Sequence, residues 1–227
     1  MVSYFPLISS VISAVFTLLL GVQYIRRRKK HQLVWTIAAA LFTLSSTLAF
    51  LSETNGWNVF MYQVYYFSVS PMVAFMGVGT LNLLVDKPWG KYFLVYTLIL
   101  SSVFLVLVFT AEVNTIQLAS FSPPSDSPPS DIGSAAMSSN AKMVSPLLSV
   151  PGGLVLIGGA LYSFWLDKSR KYNLLIALGG ITHLLSGLRA RFGGDPTYFF
   201  ILTTIGVFLL FVGFLLSSEY IRKREKK

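Results

Sequence analysis

The segment LLIALGGITHLLSGLRARFGGD, from Leu174 to Asp195, is apolar for most of the thickness of a membrane. It carries one imidazole, His183, near its middle, and two arginines, Arg189 and Arg191, towards its end. A helix needs roughly 20 apolar residues to cross a bilayer core of about 30 Å. The segment therefore predicts a membrane-spanning helix that holds an ionisable group inside it.

Apolar runs of this length recur along the whole chain. The composition is 54% hydrophobic and only 12% charged, whereas soluble domains carry about 25% charged residues. The pattern predicts an all-α, polytopic bundle of seven transmembrane helices, forming a single domain in the cell (plasma) membrane. The predicted spans cover residues 5–25, 32–52, 58–85, 91–111, 147–166, 172–190 and 197–219.

Lysine and arginine are concentrated in the connections on one side of the predicted membrane. That side holds the run RRRKK at 26–30, two further basic connections and the basic tail, whereas the other side holds only Lys142, Arg189 and Arg191. Because positively charged loops stay in the cytoplasm, we expect the amino terminus outside and the carboxyl terminus inside. The net charge of +9 then reflects orientation and contact with anionic lipid head groups, and nucleic acid is not an expected partner.

Residues 112–146, between the fourth and fifth predicted spans, contain FSPPSDSPPSDIGSAAMSSNAK. A segment so rich in serine and proline buries too little apolar surface to fold alone. We expect a Ser/Pro-rich outer loop that is a linker or disordered. A segment that docks a partner or carries sugar is the alternative.

Two hairpins of the sequence resemble each other. The first is LLGVQYIRRRKKHQLVWTIAAALFTLSS (19–46) and the second is GALYSFWLDKSRKYNLLIALGGITHLLSG (159–187), and aligning their basic loops brings Ser45 opposite Ser186. The likeness indicates three spans, one linking span and three more spans, a parallel 3+1+3 repeat. Transporters built from such repeats bind at the repeat interface. Chance likeness between two apolar hairpins is the other interpretation.

His183 is the ionisable residue deepest in a predicted span, and such residues are costly and often functional. Gly180 and Gly187 lie on the same helix face, and small residues allow helices to approach closely. His183 is therefore expected to face the bundle. Three roles are open: a hydrogen bond across a helix contact, a proton or ligand contact, and haem ligation. Haem often takes a second axial ligand, and the other histidine, His31, lies about half a membrane away.

The third predicted span begins WNVFMYQVYYFSVSP. A polar or aromatic residue recurs every four positions, at Asn58, Tyr62, Tyr66 and Ser70, so these residues share one slowly drifting face. Pro71 can kink the helix. This face could line a polar cavity. The alternative is an aromatic belt at the membrane interface.

Charged residues end two predicted spans on the outer side. Glu53 ends the second span, and Arg189 and Arg191 end the sixth. If the repeat is real, these ends are equivalent, and an outer ion pair between them is our hypothesis. Separate solvated charges are the alternative.

Motifs of catalytic or cofactor chemistry are missing from the sequence. The chain has no cysteine, which excludes disulfides and thiolate sites. No lysine lies in the interior of a span, as a retinal Schiff base would need, and no phosphate loop or HExxH motif occurs. We therefore expect no catalytic residue, metal site or cofactor, although enzyme activity stays open.

The stretches RRRKKHQLVWTIAAALFTLSS, GW at 56–57, YQVYYFSVSPMVAFMGVGTLNLL and VPGGLVLIGGALYSFW together resemble a widespread group of prokaryotic seven-helix membrane proteins of uncharacterised activity. The resemblance covers most of the chain except the Ser/Pro-rich loop. It implies an integral membrane protein of a prokaryote and brings no activity or site residue. The 3+1+3 plan is also similar to that of small sugar transporters, but their proline-glutamine motif is absent.

The sequence leaves two main functions open. The first is a non-catalytic subunit or partner-binding component of a membrane complex, with a protein partner or a second copy of the chain. The second is a carrier or sensor of a small molecule, with a cavity between the third, sixth and seventh spans and contacts from Asn58, Tyr62, Tyr66 and His183. A lipid-modifying enzyme is a distant third.

Overall fold

A computed structural model of the protein describes residues 4–84, 88–120, 136–191 and 196–224, with side chains except at 120, 189–191, 196–197 and 218–224. These residues form eight α-helices and no strand, so the all-α prediction is confirmed. The helices are α1 (Phe5–Arg27), α2 (Lys30–Asn55), α3 (Val59–Leu84), α4 (Trp89–Phe109), α5 (Thr115–Ser120), α6 (Ser139–Leu166), α7 (Tyr172–Arg191) and α8 (Pro196–Arg224).

Six of these helices are long and apolar enough to cross a membrane: α1, α2, α3, α4, α6 and the part of α8 from Tyr198 to Ser217. The protein is therefore rich in membrane helices, as expected of an integral membrane protein. The apolar part of α7, Tyr172–Leu188, is shorter. The seventh span, the orientation and the internal repeat stay predictions.

Helices occupy both ends of the predicted outer loop 112–146. α5 lies within it, and α6 begins at Ser139 rather than at the predicted 147, because its first residues are helical without being apolar. Leu118 and Met137 are buried in the same core cluster as residues of α3 and α4. The ends of the loop therefore pack on the bundle, while the SPPSD repeats lie outside the described residues.

The long helices form a ring in the order α1, α2, α3, α6, α7, α8, which closes through contacts between α8 and α1. α4 lies outside this ring, against α3 and α6. The connections α1–α2 and α6–α7 lie at the same end of the ring, which we call the basic end; the opposite end is the distal end. A ring of six helices can surround a central space.

Two close contacts hold α3 and α6 together. α3 and α6 touch through their backbones, since a Cβ atom on Gly152 would lie 2.5 Å from the Val73 carbonyl oxygen. The side chains of Ser70 and Ser145 also bond there at 2.7 Å. Small residues and hydroxyl bonds are the usual means by which membrane helices associate.

Aromatic side chains fill the ring at the basic end. Phe16 contacts Phe211 and Phe214 with ring centroids 5.6 and 5.3 Å apart, and Trp35 meets Phe214 edge to face at 5.9 Å. The Trp35 indole N–H donates a hydrogen bond to the Met76 carbonyl at 3.2 Å. This aromatic cluster occupies the basic end of the ring.

Candidate functional site

A cavity of about 430 Å³ lies inside the ring, between the aromatic cluster and the distal end. Residues of α1, α2, α3, α6, α7 and α8 line it. Small-molecule sites in proteins usually enclose about 300 to 1,000 Å³. The cavity therefore has the size of a ligand site.

The cavity wall is mainly apolar, with serine hydroxyl groups set into it. Three of the seven serines that line the cavity, Ser45, Ser149 and Ser186, donate to a carbonyl of their own helix. Ser149 donates to the Ser145 carbonyl at 3.1 Å, and Ser186 donates to the His183 carbonyl at 2.9 Å. Because their protons are engaged, these serines offer a ligand acceptor oxygens rather than donors.

His183 lies on the wall of the cavity, in the middle of α7. Its Nδ1 is 3.0 Å from the Gly179 carbonyl oxygen, so Nδ1 donates and Nε2 is left as an acceptor. Nε2 is buried, and no described group bonds to it. The ring packs on Phe42 with centroids 5.3 Å apart and lies so close to Gly206 that any side chain there would clash.

Two tyrosines of α3, Tyr65 and Tyr66, also line the cavity. Tyr65 is almost fully buried, and its hydroxyl makes no hydrogen bond with any described residue. Ser46 of α2 likewise lines the cavity without a described hydrogen bond. These two hydroxyls can donate to a polar atom inside the cavity.

The structure separates the residues that the sequence grouped on α3. Tyr66 lines the cavity, whereas Tyr62 is fully buried between Trp57 and Tyr66, at 5.8 and 6.1 Å between ring centroids. The Asn58 side chain accepts a hydrogen bond from the Met61 N–H at 2.8 Å and so caps the start of α3. Neither Asn58 nor Tyr62 is among the residues that line the cavity.

The outer ion pair stays a prediction. Glu53 lies in the last turn of α2, and Arg189 and Arg191 lie in the last turn of α7. The two arginine side chains are outside the described ones. Lys142, close to the start of α6, supplies a cationic side chain to the described part of the cavity wall.

The sequence predicts a cavity between α3, α7 and α8, whereas α1, α2 and α6 also contribute to the cavity wall. A signal for α6 was present, since Ser145 and Ser149 are spaced to share one helix face. The hairpin alignment also held a signal, because Ser45 and Ser186 occupy equivalent positions and both line the cavity. In the same alignment Phe42 is opposite His183, the residue that its ring contacts.

No protein-family model, curated protein or solved structure matches the chain. The described residues contain no group of three His, Asp or Glu side chains arranged to hold a metal ion. The function must therefore be argued from the cavity itself.

Proposed function

We propose that the protein is a membrane carrier or sensor that binds a small, largely apolar molecule in the cavity of the helix ring. The observation that carries this proposal is the cavity, about 430 Å³ in volume and lined by all six ring helices. Closely packed helices leave few voids larger than a water molecule. A space of this size is costly to keep empty and is best explained by a ligand.

The placement of the polar groups supports the same proposal. Ligand sites are mostly apolar, with a few polar groups that fix the orientation of the ligand. Here Tyr65 and Ser46 supply donors without a described partner, and the serine oxygens supply acceptors. His183 also lines the cavity.

The equivalent residues of the two hairpins favour a carrier or sensor over a passive subunit. Ser45 and Ser186 face one cavity, and Phe42 meets His183 between α2 and α7. Carriers built from repeats bind at the interface between the repeats, and one repeat then moves against the other. In such a carrier, the aromatic cluster at the basic end would keep the cavity shut on that side.

The subunit or partner-binding function stays a prediction. Exposed apolar side chains cover the outer faces of the helices, and lipid would cover them as well as a protein would. No described feature distinguishes the two, whereas the cavity is specific to ligand binding.

Native mass spectrometry of the protein, extracted gently from its own membrane, tests the proposal. The variant Ser149→Phe fills the cavity, and Ser102→Phe is its matched control. Both hydroxyls bond to the carbonyl four residues earlier, but Ser102 is exposed on α4. We expect a reproducible small mass on the wild type and on Ser102→Phe, and its loss from Ser149→Phe. Three bare chains, or equal retention, would contradict the proposal.

A further inference from the structure

The cavity reaches the outer surface of the bundle between α6 and α7. Four apolar side chains both line the cavity and are exposed on the outside: Val150 and Leu154 of α6, and Leu184 and Leu188 of α7. Because these side chains come from both helices and lie on facing sides, we read them as an opening of the wall. We call this opening the α6–α7 gap.

The gap arises because α6 and α7 are joined at one end and separate towards the other. At the basic end, the Asn173 side chain donates to the Ser163 hydroxyl at 2.9 Å. In the middle, a Cβ atom on Gly180 would lie 2.8 Å from Ile157, so the helices still touch. Nearer the distal end, Gly187 lines the cavity and has no neighbour within 4 Å of such an atom.

The surroundings of the gap decide what can pass through it. Val150 and Leu154 lie in the apolar part of α6, about one and two turns inside the outer end of the span predicted at 147–166. At that depth the bilayer is hydrocarbon, and polar solutes are excluded from it. A molecule that reaches the gap from outside is therefore one already dissolved in the membrane.

We propose that the cavity receives the hydrocarbon chain of a membrane amphiphile, which enters sideways through the α6–α7 gap. This inference rests on the proposed function, and it names the class of ligand and its route. The apolar wall matches the chain. The small polar head of the amphiphile lies towards the distal end, where Tyr65, Ser46 and Lys142 line the cavity.

Photo-crosslinking in lipid nanodiscs tests the route. The probes are hexadecanoic acid with a diazirine on its chain, and a phospholipid that carries the same diazirine chain. Labelled residues are located by peptide mass spectrometry. Labelling by the free acid identifies a single-chain amphiphile, and labelling by the phospholipid alone identifies a chain of a bilayer lipid; both support the proposal.

Gly187→Phe blocks the gap, and Gly158→Phe is the matched control. Both glycines are exposed and have open space around them, but Gly158 does not line the cavity. We expect the wild type and Gly158→Phe to be labelled at wall residues such as Val73. Gly187→Phe should be labelled about tenfold less or lower still, because a filled gap is costly to open. Leu184→Trp serves as a second block if Gly187→Phe does not fold.

Three outcomes overturn the inference, and they differ in what they leave of the proposed function. Equal labelling of Gly187→Phe, or an equal loss in Gly158→Phe, removes the route but keeps the cavity as a site. If no wall residue is labelled but Val69→Cys reacts with a water-soluble maleimide, the cavity is open to water rather than to lipid. This result also keeps the proposed function. Absence of both reactions removes the inference and the proposed function together. The natural chain has no cysteine, so the maleimide reaction has no background.

Discussion

Alanine in place of Gly152 should force α3 and α6 apart where they cross. The new Cβ atom would lie 2.5 Å from the Val73 carbonyl oxygen and 2.6 Å from the Ala74 Cα atom. Ordinary contact begins at 3.4 Å, so the two helices must separate by about 0.8 to 0.9 Å. Both obstacles are backbone atoms, and no change of rotamer can relieve the clash.

The cost can be isolated with Gly158→Ala, which lies on the same helix and has nothing within 4 Å of its Cβ position. Both substitutions gain about 1 kcal/mol of helix propensity, and this gain cancels in the comparison. Overpacking costs about 1–3 kcal/mol. The free energy of unfolding of Gly152→Ala should therefore be lower than that of Gly158→Ala by about this amount.

Thermal unfolding of the two purified variants in detergent, followed by tryptophan fluorescence, measures the difference. For a chain of this size, 1 kcal/mol corresponds to about 2–4 °C in Tm, so Gly152→Ala should melt roughly 2–12 °C below Gly158→Ala. Equal melting temperatures would refute the close crossing of α3 and α6.

Three further predictions concern the aromatic cluster, the cavity and the basic end. Trp35→Phe removes the N–H that bonds to the Met76 carbonyl and should lower the free energy of unfolding by about 0.5–1.5 kcal/mol; loss of the exposed indole in Trp165→Phe should change it little. His183→Phe keeps a ring against Phe42 and removes both nitrogens, so it should reduce the bound small mass in native mass spectrometry while circular dichroism stays unchanged. Unchanged binding would assign His183 to packing alone. Hydrogen bonds from the Ser169 side chain and backbone, and then the Arg170 guanidinium, hold the pKa of the partly exposed Asp167 carboxyl below its usual 3.8. Its contribution to stability is therefore present above about pH 4 and lost as the pH falls through the lowered pKa. Asp167→Asn should remove this part of the acid dependence of Tm, and an unchanged acid profile would contradict it.

The membrane helices could be predicted from the sequence because each is a run of apolar residues bounded by charged, glycine or proline residues. The predicted span 58–85, for example, corresponds to α3, Val59–Leu84. The start of α6 could not be predicted in this way. Its first turns contain Ser139 and Lys142, so they are helical but not apolar, and apolarity marks only the part of a helix suited to lipid.

The cavity was harder to predict than the helices because its wall depends on how each helix is rotated. Tyr62 and Tyr66 share a face by spacing, yet four residues advance a helix by about 40° beyond a full turn. That drift is enough for Tyr66 to line the cavity and for Tyr62 to pack on Trp57. The serines were an equally weak indication of the cavity. A serine in an apolar helix can bond its own backbone, so it is tolerated on any face of the helix.

The most direct test of the central claim is a cryo-electron microscopy map of the protein in nanodiscs prepared from its own membrane. We expect density that does not belong to the chain, inside the helix ring and in contact with Phe42, Tyr66 and His183. A ring collapsed around these side chains, with no space between them, would contradict the claim.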